Sequence, residues 1–320
     1  MCGILGYTLT GRASADMLAK FERLFILTQT RGAHASGVAW ATGDEIHYRK
    51  AAQAATRFVR GDGYARMKRS HSRLAIAHTR WATNGHPSKN ENNHPHMSEN
   101  GALALVHNGM IFNWEQLKVA ERLPYASECD SEVIMRLTEK MLGRKRKRGE
   151  ILRAIRRATR KIMGSASFAL MSAQTNTLFL VCHRNPVHLL RIDGVGVVFA
   201  SEAGPLYKVF GEDADVRVMS EDTVITASGD SYDIVSTKFK EYIVPKAALS
   251  RYEGASRSWH TPSDALVSEP NDDGTTFKGW YDPDNDSRWE RLMTKQNDDV
   301  PSFTFDGNGQ VILDSERSFE

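Results

Sequence analysis

Apolar and polar positions recur along the first 250 residues in two rhythms. One has a period of two over five to eight residues, and the other has a helical period over ten or more. Residues 3 to 9, 37 to 42 and 45 to 50 read as strands, the last two joined by a turn at Gly43-Asp44. Ser14 precedes Met17, Leu18, Phe21, Leu24 and Phe25 at helical spacing, so it is placed as the cap of a helix. Residues 74 to 78 and 102 to 107 are apolar runs of strand length, each leading to an Asn-Gly pair, Asn84-Gly85 and Asn108-Gly109. A helix is predicted from about Asp130, with Val133, Ile134, Leu137 and Met141 on one face. A second, basic helix is predicted over about 150 to 163, and strands return at 167 to 172, 178 to 182, 187 to 192 and 195 to 200. Many strands joined by short turns, with helices in separate groups, predict an α+β fold of antiparallel sheets covered by helices.

Composition changes this picture at the far end. Residues 251 to 320 hold seven Lys/Arg against fifteen Asp/Glu, a net of −8, which leaves +11 on the first 250 of a chain whose total is +3. The segments Glu269-Pro270-Asn271-Asp272-Asp273-Gly274 and Asp282-Pro283-Asp284-Asn285-Asp286-Ser287 are turn chemistry. We therefore expect one domain over 2–245 and, over 246–320, an acidic tail or small appendage that is partly disordered.

Three widely spaced cysteines without a Cys-x-x-Cys argue against a disulfide framework and for a reducing compartment. No basic segment followed by an apolar one opens the chain, and no apolar run is long enough for a membrane span. The expected location is the cytoplasm, with no membrane partner.

Candidate chemistry is concentrated where polar residues interrupt the apolar rhythm. Cys2 is the second residue; once Met1 is removed, one residue carries both a thiol and an α-amine, groups with ordinary pKa values of about 8.5 and 8. Alone, a cysteine there reads as a buried structural residue in preference to a nucleophile. The other polar stretches are Arg31-Gly32-Ala33-His34-Ala35-Ser36-Gly37, His78-Thr79-Arg80-Trp81-Ala82-Thr83-Asn84-Gly85, Asn92-Asn93-His94-Pro95-His96, His107-Asn108-Gly109 and Cys129-Asp130-Ser131-Glu132.

In this order, from residue 2 to about 240, these stretches resemble the class II glutamine amidotransferases, and among them the glutaminase domain of glucosamine-6-phosphate synthases. The resemblance implies the N-terminal-nucleophile hydrolase fold, a four-layer αββα sandwich. It also implies hydrolysis of L-glutamine to L-glutamate and ammonia. Cys2 would attack the side-chain amide carbon to form a γ-glutamyl thioester, with its own α-amine moving the proton. Asn108 and the Gly109 backbone N–H would hold the oxyanion, although on their own the two residues read as a hairpin turn. Arg80 would clamp the substrate carboxylate, Thr83 would add a hydroxyl, and Trp81 would wall the pocket. Asp130 would take the α-ammonium and could also cap the following helix, while Arg31 and Gly32 would belong to a loop near the nucleophile. The sequence departs from the family at Ala33, at His34, where an Asp is usual, and at Asn84, where His is common; these changes bear on the loop and on substrate preference.

The implied partner is a separate ammonia-accepting synthase. Hydrolysis of another γ-glutamyl compound and a non-catalytic binding module remain as alternatives. Neither cofactor nor metal is expected: His78, His86, His94, His96 and His107 fit no common zinc spacing, and Asp282, Asp284 and Asp286 lack the glycine and the Glu of a calcium loop, Ser287 and Met293 standing there. The 282–287 stretch reads instead as a turn capping a short helix over 287–293. The basic segment 144–161 reads as a solvated helix face in preference to a nucleic-acid footprint.

Overall fold

The computed structural model describes residues 2–236 and the strands at 266–270, 276–280, 303–305 and 311–313. In chain order the elements are β1 (Gly3–Leu9), α1 (Ala15–Thr28), β2 (Ala35–Thr42), β3 (Glu45–Ala51), α2 (Ala55–Phe58), α3 (Asp62–Ser70) and β4 (Leu74–Arg80). There follow β5 (His96–Met97), β6 (Leu103–Ile111), α4 (Trp114–Ala120), α5 (Glu132–Leu142), α6 (Arg148–Thr159) and β7 (Gly164–Ser172). Then come β8 (Thr177–Cys182), β9 (His188–Ile192), β10 (Gly196–Ala200), α7 (Ala203–Phe210), β11 (Val216–Val218), β12 (Thr223–Ser228) and β13 (Ser231–Ser236).

The strands form two antiparallel sheets, ordered β11-β9-β10-β1-β4-β2-β3 and β13-β12-β8-β7-β6-β5. Three apolar clusters lie at the three interfaces of four layers. Ile4, Ile76, Val106, Ala169, Leu180 and Phe199 pack between the sheets. On the far side of the first sheet, Leu5, Tyr7 and Val198 meet Phe21, Phe25, Phe58, Met67 and Leu206 of α1, α2, α3 and α7. On the far side of the second, Leu105, Phe168 and Val181 meet Leu117, Leu137 and Ile155 of α4, α5 and α6. Strand alternation produces this: Ile4 faces one layer and Leu5 the other. The expected αββα sandwich is what forms.

Local chemistry explains the element ends. Ser14 Oγ accepts from the Met17 N–H at 3.0 Å, as its position before the helical pattern predicts. The basic helix buries Ile151, Ala154, Ile155 and Ala158 and exposes Arg153, Arg157 and Arg160, the pattern of an amphipathic covering helix. It stops at Thr159, short of the predicted 163, because Gly164 already begins β7. Asn108-Gly109 is no hairpin turn: β6 runs on to Ile111, with Asn108 opposite Ser167 and Gly109 opposite Ala166.

The chain divides into two units, up to Ser256 and from Arg257. In the second, β14 (Leu266–Pro270) pairs with β15 (Thr276–Trp280), and β16 (Phe303–Phe305) with β17 (Val311–Leu313). The boundary expected at 245, the Asp282-Asp284-Asp286 stretch and the helix expected at 287–293 lie outside the described residues. Among the described residues no helix is long and apolar enough to cross a membrane.

Candidate active site

Antiparallel register gathers the polar stretches at one end of the sandwich. Gly3 pairs with Thr79 and Arg80 with Ala35, so the start of β1, the end of β4 and the start of β2 share an edge. Cys2 is therefore set beside Arg80-Trp81. Its Sγ receives the Trp81 N–H and donates to the Trp81 carbonyl, each at 3.3 Å. Burial pushes the thiol pKa up; the Trp81 hydrogen bond and the Arg80 charge pull it back. Such a thiol needs a base at hand to act as a nucleophile near neutral pH.

The backbone of Cys2 is held as firmly. Arg31 Nε donates to the Cys2 carbonyl at 2.7 Å, and Arg31 NH1 pairs with Glu202 Oε1 at 2.8 Å. Gly32 lies so close to β4 that a Cβ there would come within 2.4 Å of the Arg80 carbonyl carbon and of the Trp81 nitrogen. Only glycine lets this loop pass. The His34 N–H donates to the Arg80 carbonyl at 3.0 Å, and its ring accepts the Ala82 N–H at 3.0 Å while packing on the Trp81 ring at 4.7 Å. Burial, followed by the Arg80 charge, lowers the His34 pKa and favours the neutral ring that this acceptor role requires. An imidazole here thus fastens the loop by a ring contact and a hydrogen bond.

Arg80 is buried, and its guanidinium is set by the loop that follows. NH1 donates to Asn93 Oδ1 at 2.9 Å; NH2 donates to the Gly85 carbonyl at 2.9 Å and to the Asn84 carbonyl. Asn93 was visible in the sequence only as part of a polar run, and its role in orienting Arg80 emerges from the fold. Thr83 lies exposed in the same loop.

Strand β6 brings the second sheet's contribution. The Asn108 side chain is buried and its Nδ2 has no hydrogen-bond partner. A buried amide N–H without a partner is uncommon and leaves a donor to spare. At Gly109, φ is +149° and a Cβ would meet the Ser165 carbonyl oxygen at 2.1 Å, so both conformation and space require glycine. The Asn185 Nδ2 donates to the Asn108 carbonyl at 3.3 Å, and Asn185 lines a cavity of about 240 Å³ with Cys182, Arg184 and Glu221.

Asp130 does not cap α5; the N-cap position falls to Ser131, whose side chain makes no capping bond. The Asp130 carboxylate instead reaches β6, where Oδ2 accepts the Ile111 N–H at 2.8 Å. Next to it, Ser131 Oγ lies 2.7 Å from His107 Nδ1. This ties the Asp130 segment to the strand that carries Asn108.

The histidines bridge the sheets. His78 Nε2–H donates to the His107 carbonyl at 2.9 Å, the His107 N–H donates to His94 Nδ1 at 3.1 Å, and the His78 and His94 rings stack at 3.9 Å. The fold also gathers His94, His96 and Cys129, whose donor atoms lie within 4.8 Å of one another, a grouping that spacing along the chain did not reveal. It does not suit a metal. Because His94 Nδ1 accepts a backbone N–H, the proton of the neutral ring sits on Nε2, the atom facing Cys129 Sγ at 3.9 Å. In that tautomer the nitrogen has no lone pair to offer.

A half-buried cysteine at the start of a central strand, in a four-layer sandwich of antiparallel sheets, defines an N-terminal-nucleophile hydrolase fold. Comparison with known proteins gives the family. Residues 78–208 match the family model described as "Glutamine amidotransferase domain". The chain is 35% identical over 236 residues to a glutamine-fructose-6-phosphate aminotransferase (isomerizing) of Halalkalibacterium halodurans, covering 72% of this chain and 36% of that one. With the protein of the same name from Thermococcus kodakarensis it shares 30% over 251 residues, 75% of this chain and 40% of that one. Its fold is similar to that of the glutamine phosphoribosylpyrophosphate amidotransferase of B. subtilis, with a TM-score of 0.58 at 21% identity over 75% of this chain and 50% of that one. The chain carries a glutamine amidotransferase domain, and it spans well under half the length of the two aminotransferases.

Proposed function

We propose that residues 2–236 hydrolyse L-glutamine to L-glutamate and ammonia, and that the ammonia passes to a separate acceptor enzyme. The observation that carries this reading is the orphaned Asn108 Nδ2, a buried donor on the strand that β1 and β4 face across the sandwich. Removal of Met1 frees the Cys2 α-amine. That amine takes the thiol proton as Sγ attacks the γ-carbonyl carbon of glutamine, and Asn108 Nδ2 with the Gly109 N–H receives the developing oxyanion. Collapse breaks the C–N bond, the α-ammonium returns its proton to the leaving nitrogen, and ammonia departs. Water then attacks the γ-glutamyl thioester, giving its proton to the same amine, and glutamate leaves with the thiol restored.

A donor of Arg80 left over by Asn93, Asn84 and Gly85, which occupy only three of its five, would bind the substrate carboxylate. Asp130 Oδ1 would take the α-ammonium, its other oxygen being fixed on Ile111. Trp81 would form the floor under the thiol through its backbone, and exposed Thr83 the rim.

The test is glutamate release from glutamine by protein whose intact mass shows Met1 removed. Release is expected, and Cys2→Ala should abolish it. Turnover of another γ-glutamyl amide with none of glutamine would reassign the substrate. Absence of turnover on all of them would leave a binding module. Release that rises on adding a co-purifying protein would identify the acceptor.

A further inference from the structure

We infer that Glu202 is a positioning residue for the nucleophile, holding Arg31 so that Arg31 fixes the Cys2 carbonyl and with it the path of the N-terminal residue. This rests on the glutaminase reading above. The β10–α7 junction grips the nucleophile strand at two consecutive residues. The Ser201 N–H donates to the Ile4 carbonyl at 2.9 Å, and the Ile4 N–H donates to Ser201 Oγ at 2.8 Å, so Ser201 fixes the strand two residues beyond Cys2. Glu202 reaches Cys2 itself through Arg31, by bonds of 2.8 and 2.7 Å that both carry charge. Arg31 is only 10% exposed, while Glu202 is 42% exposed and partly screened.

The geometry gives this arrangement a purpose. In an N-terminal nucleophile the base and the attacking atom belong to one residue, so the torsions of that residue set their separation. The Cys2 carbonyl anchors that residue on its strand and so sets where amine and thiol together point. A loose carbonyl would let both swing away from the substrate, and misplacement by about 1 Å costs roughly 10²-fold. Glu202 also offsets the charge of the guanidinium bonded to the Cys2 carbonyl. The other groups that act on this corner are Arg80 and Asp130 on Cys2, and His188, which bonds the Ser201 carbonyl and feels both Glu202 and Arg31.

The experiment compares Glu202→Ala and Glu202→Gln with wild type in the full chain with Met1 removed. In E202A, kcat is expected to fall about tenfold with KM within about twofold, as loss of a charge-assisted bond that acts on the nucleophile alone should do. Gln keeps an oxygen able to accept from Arg31 NH1, so E202Q should recover kcat to within about threefold of wild type. With the carboxylate charge gone, Arg31 favours the thiolate, and the pH midpoint of Cys2 alkylation by iodoacetamide should move down by about half a unit. Cys129 and Cys182 are buried, so alkylation reports Cys2.

Unchanged kcat in a folded E202A, a loss confined to KM, or a loss that Gln does not relieve would each overturn the inference. If E202A does not fold, the alkylation midpoint of E202Q decides, and no shift overturns it. Alkylation needs no substrate, so a wild type that releases no glutamate refutes the glutaminase reading while this readout still tests Glu202.

Discussion

At Asn108, activity and stability should separate. Its Nδ2 has no partner in the folded protein, so Asn108→Ala removes no hydrogen bond from that atom. The expected outcome is an unchanged or higher melting temperature with kcat lower by about 10²- to 10³-fold. A melting curve and a glutamate assay on the same preparation check both. Arg80 should behave differently, because its guanidinium is already shared among three protein acceptors. Lysine has a single nitrogen and cannot hold the loop and a carboxylate together, so Arg80→Lys should raise KM for glutamine by about tenfold or more. An unchanged KM would remove Arg80 from the carboxylate site. Single residues of this kind were legible in the sequence where they belong to short motifs. Glu202 and Asn93 were not, because each acts on a residue distant in sequence or orientation, and nothing near them in the chain announces it.

Among the elements, the β strands were the most legible. A run such as Gly3–Leu9 is buried along its whole length because one face lies toward α1 and the other toward the second sheet. Asn108-Gly109 shows where local reading ends. The pair has turn chemistry, yet β7 lies alongside and keeps the strand going to Ile111. Tertiary pairing overrides the local preference. The loop at Arg31-Gly32 was recognised by its motif, and the structure supplies its constraint. Gly32→Ala places a methyl group against the Arg80 and Trp81 backbone, and overpacking of this kind costs about 1–3 kcal/mol. Its melting temperature should fall, and glutamate release should fall with it because the same backbone seats the Cys2 thiol. A variant with wild-type melting and activity would show that the loop moves aside freely.

Across the whole molecule, the two sheets are joined near the site by buried, neutral histidines. Burial takes the His78 pKa down to about 3; His94 and His96 lie well below the usual value, and His107 is lowered. As pH falls below about 6.5, the unfolded chain binds protons on these rings while the folded protein does not, so stability is lost toward acid and regained toward neutrality. Each ring contributes roughly 1.4 kcal/mol per pH unit within its window. Urea midpoints at pH 7 and pH 5 should differ markedly. Equal midpoints would show that the rings are protonated in the folded state.

The sequence by itself determined strands β1 to β4 and β6 to β10, helices α1, α5 and α6, and the family resemblance, but not α2 to α4, α7, β5 or β11 to β13. Those properties depend on short-range periodicity and on motifs read in order. Tertiary structure alone decided that Asp130 serves β6 in place of its own helix, that His94, His96 and Cys129 meet without offering a ligand set, and that Glu202 stands behind Arg31. Each of these follows from strand pairing and layer packing that bring together atoms tens of residues apart along the chain, where one missing or supplied hydrogen-bond partner sets the chemistry.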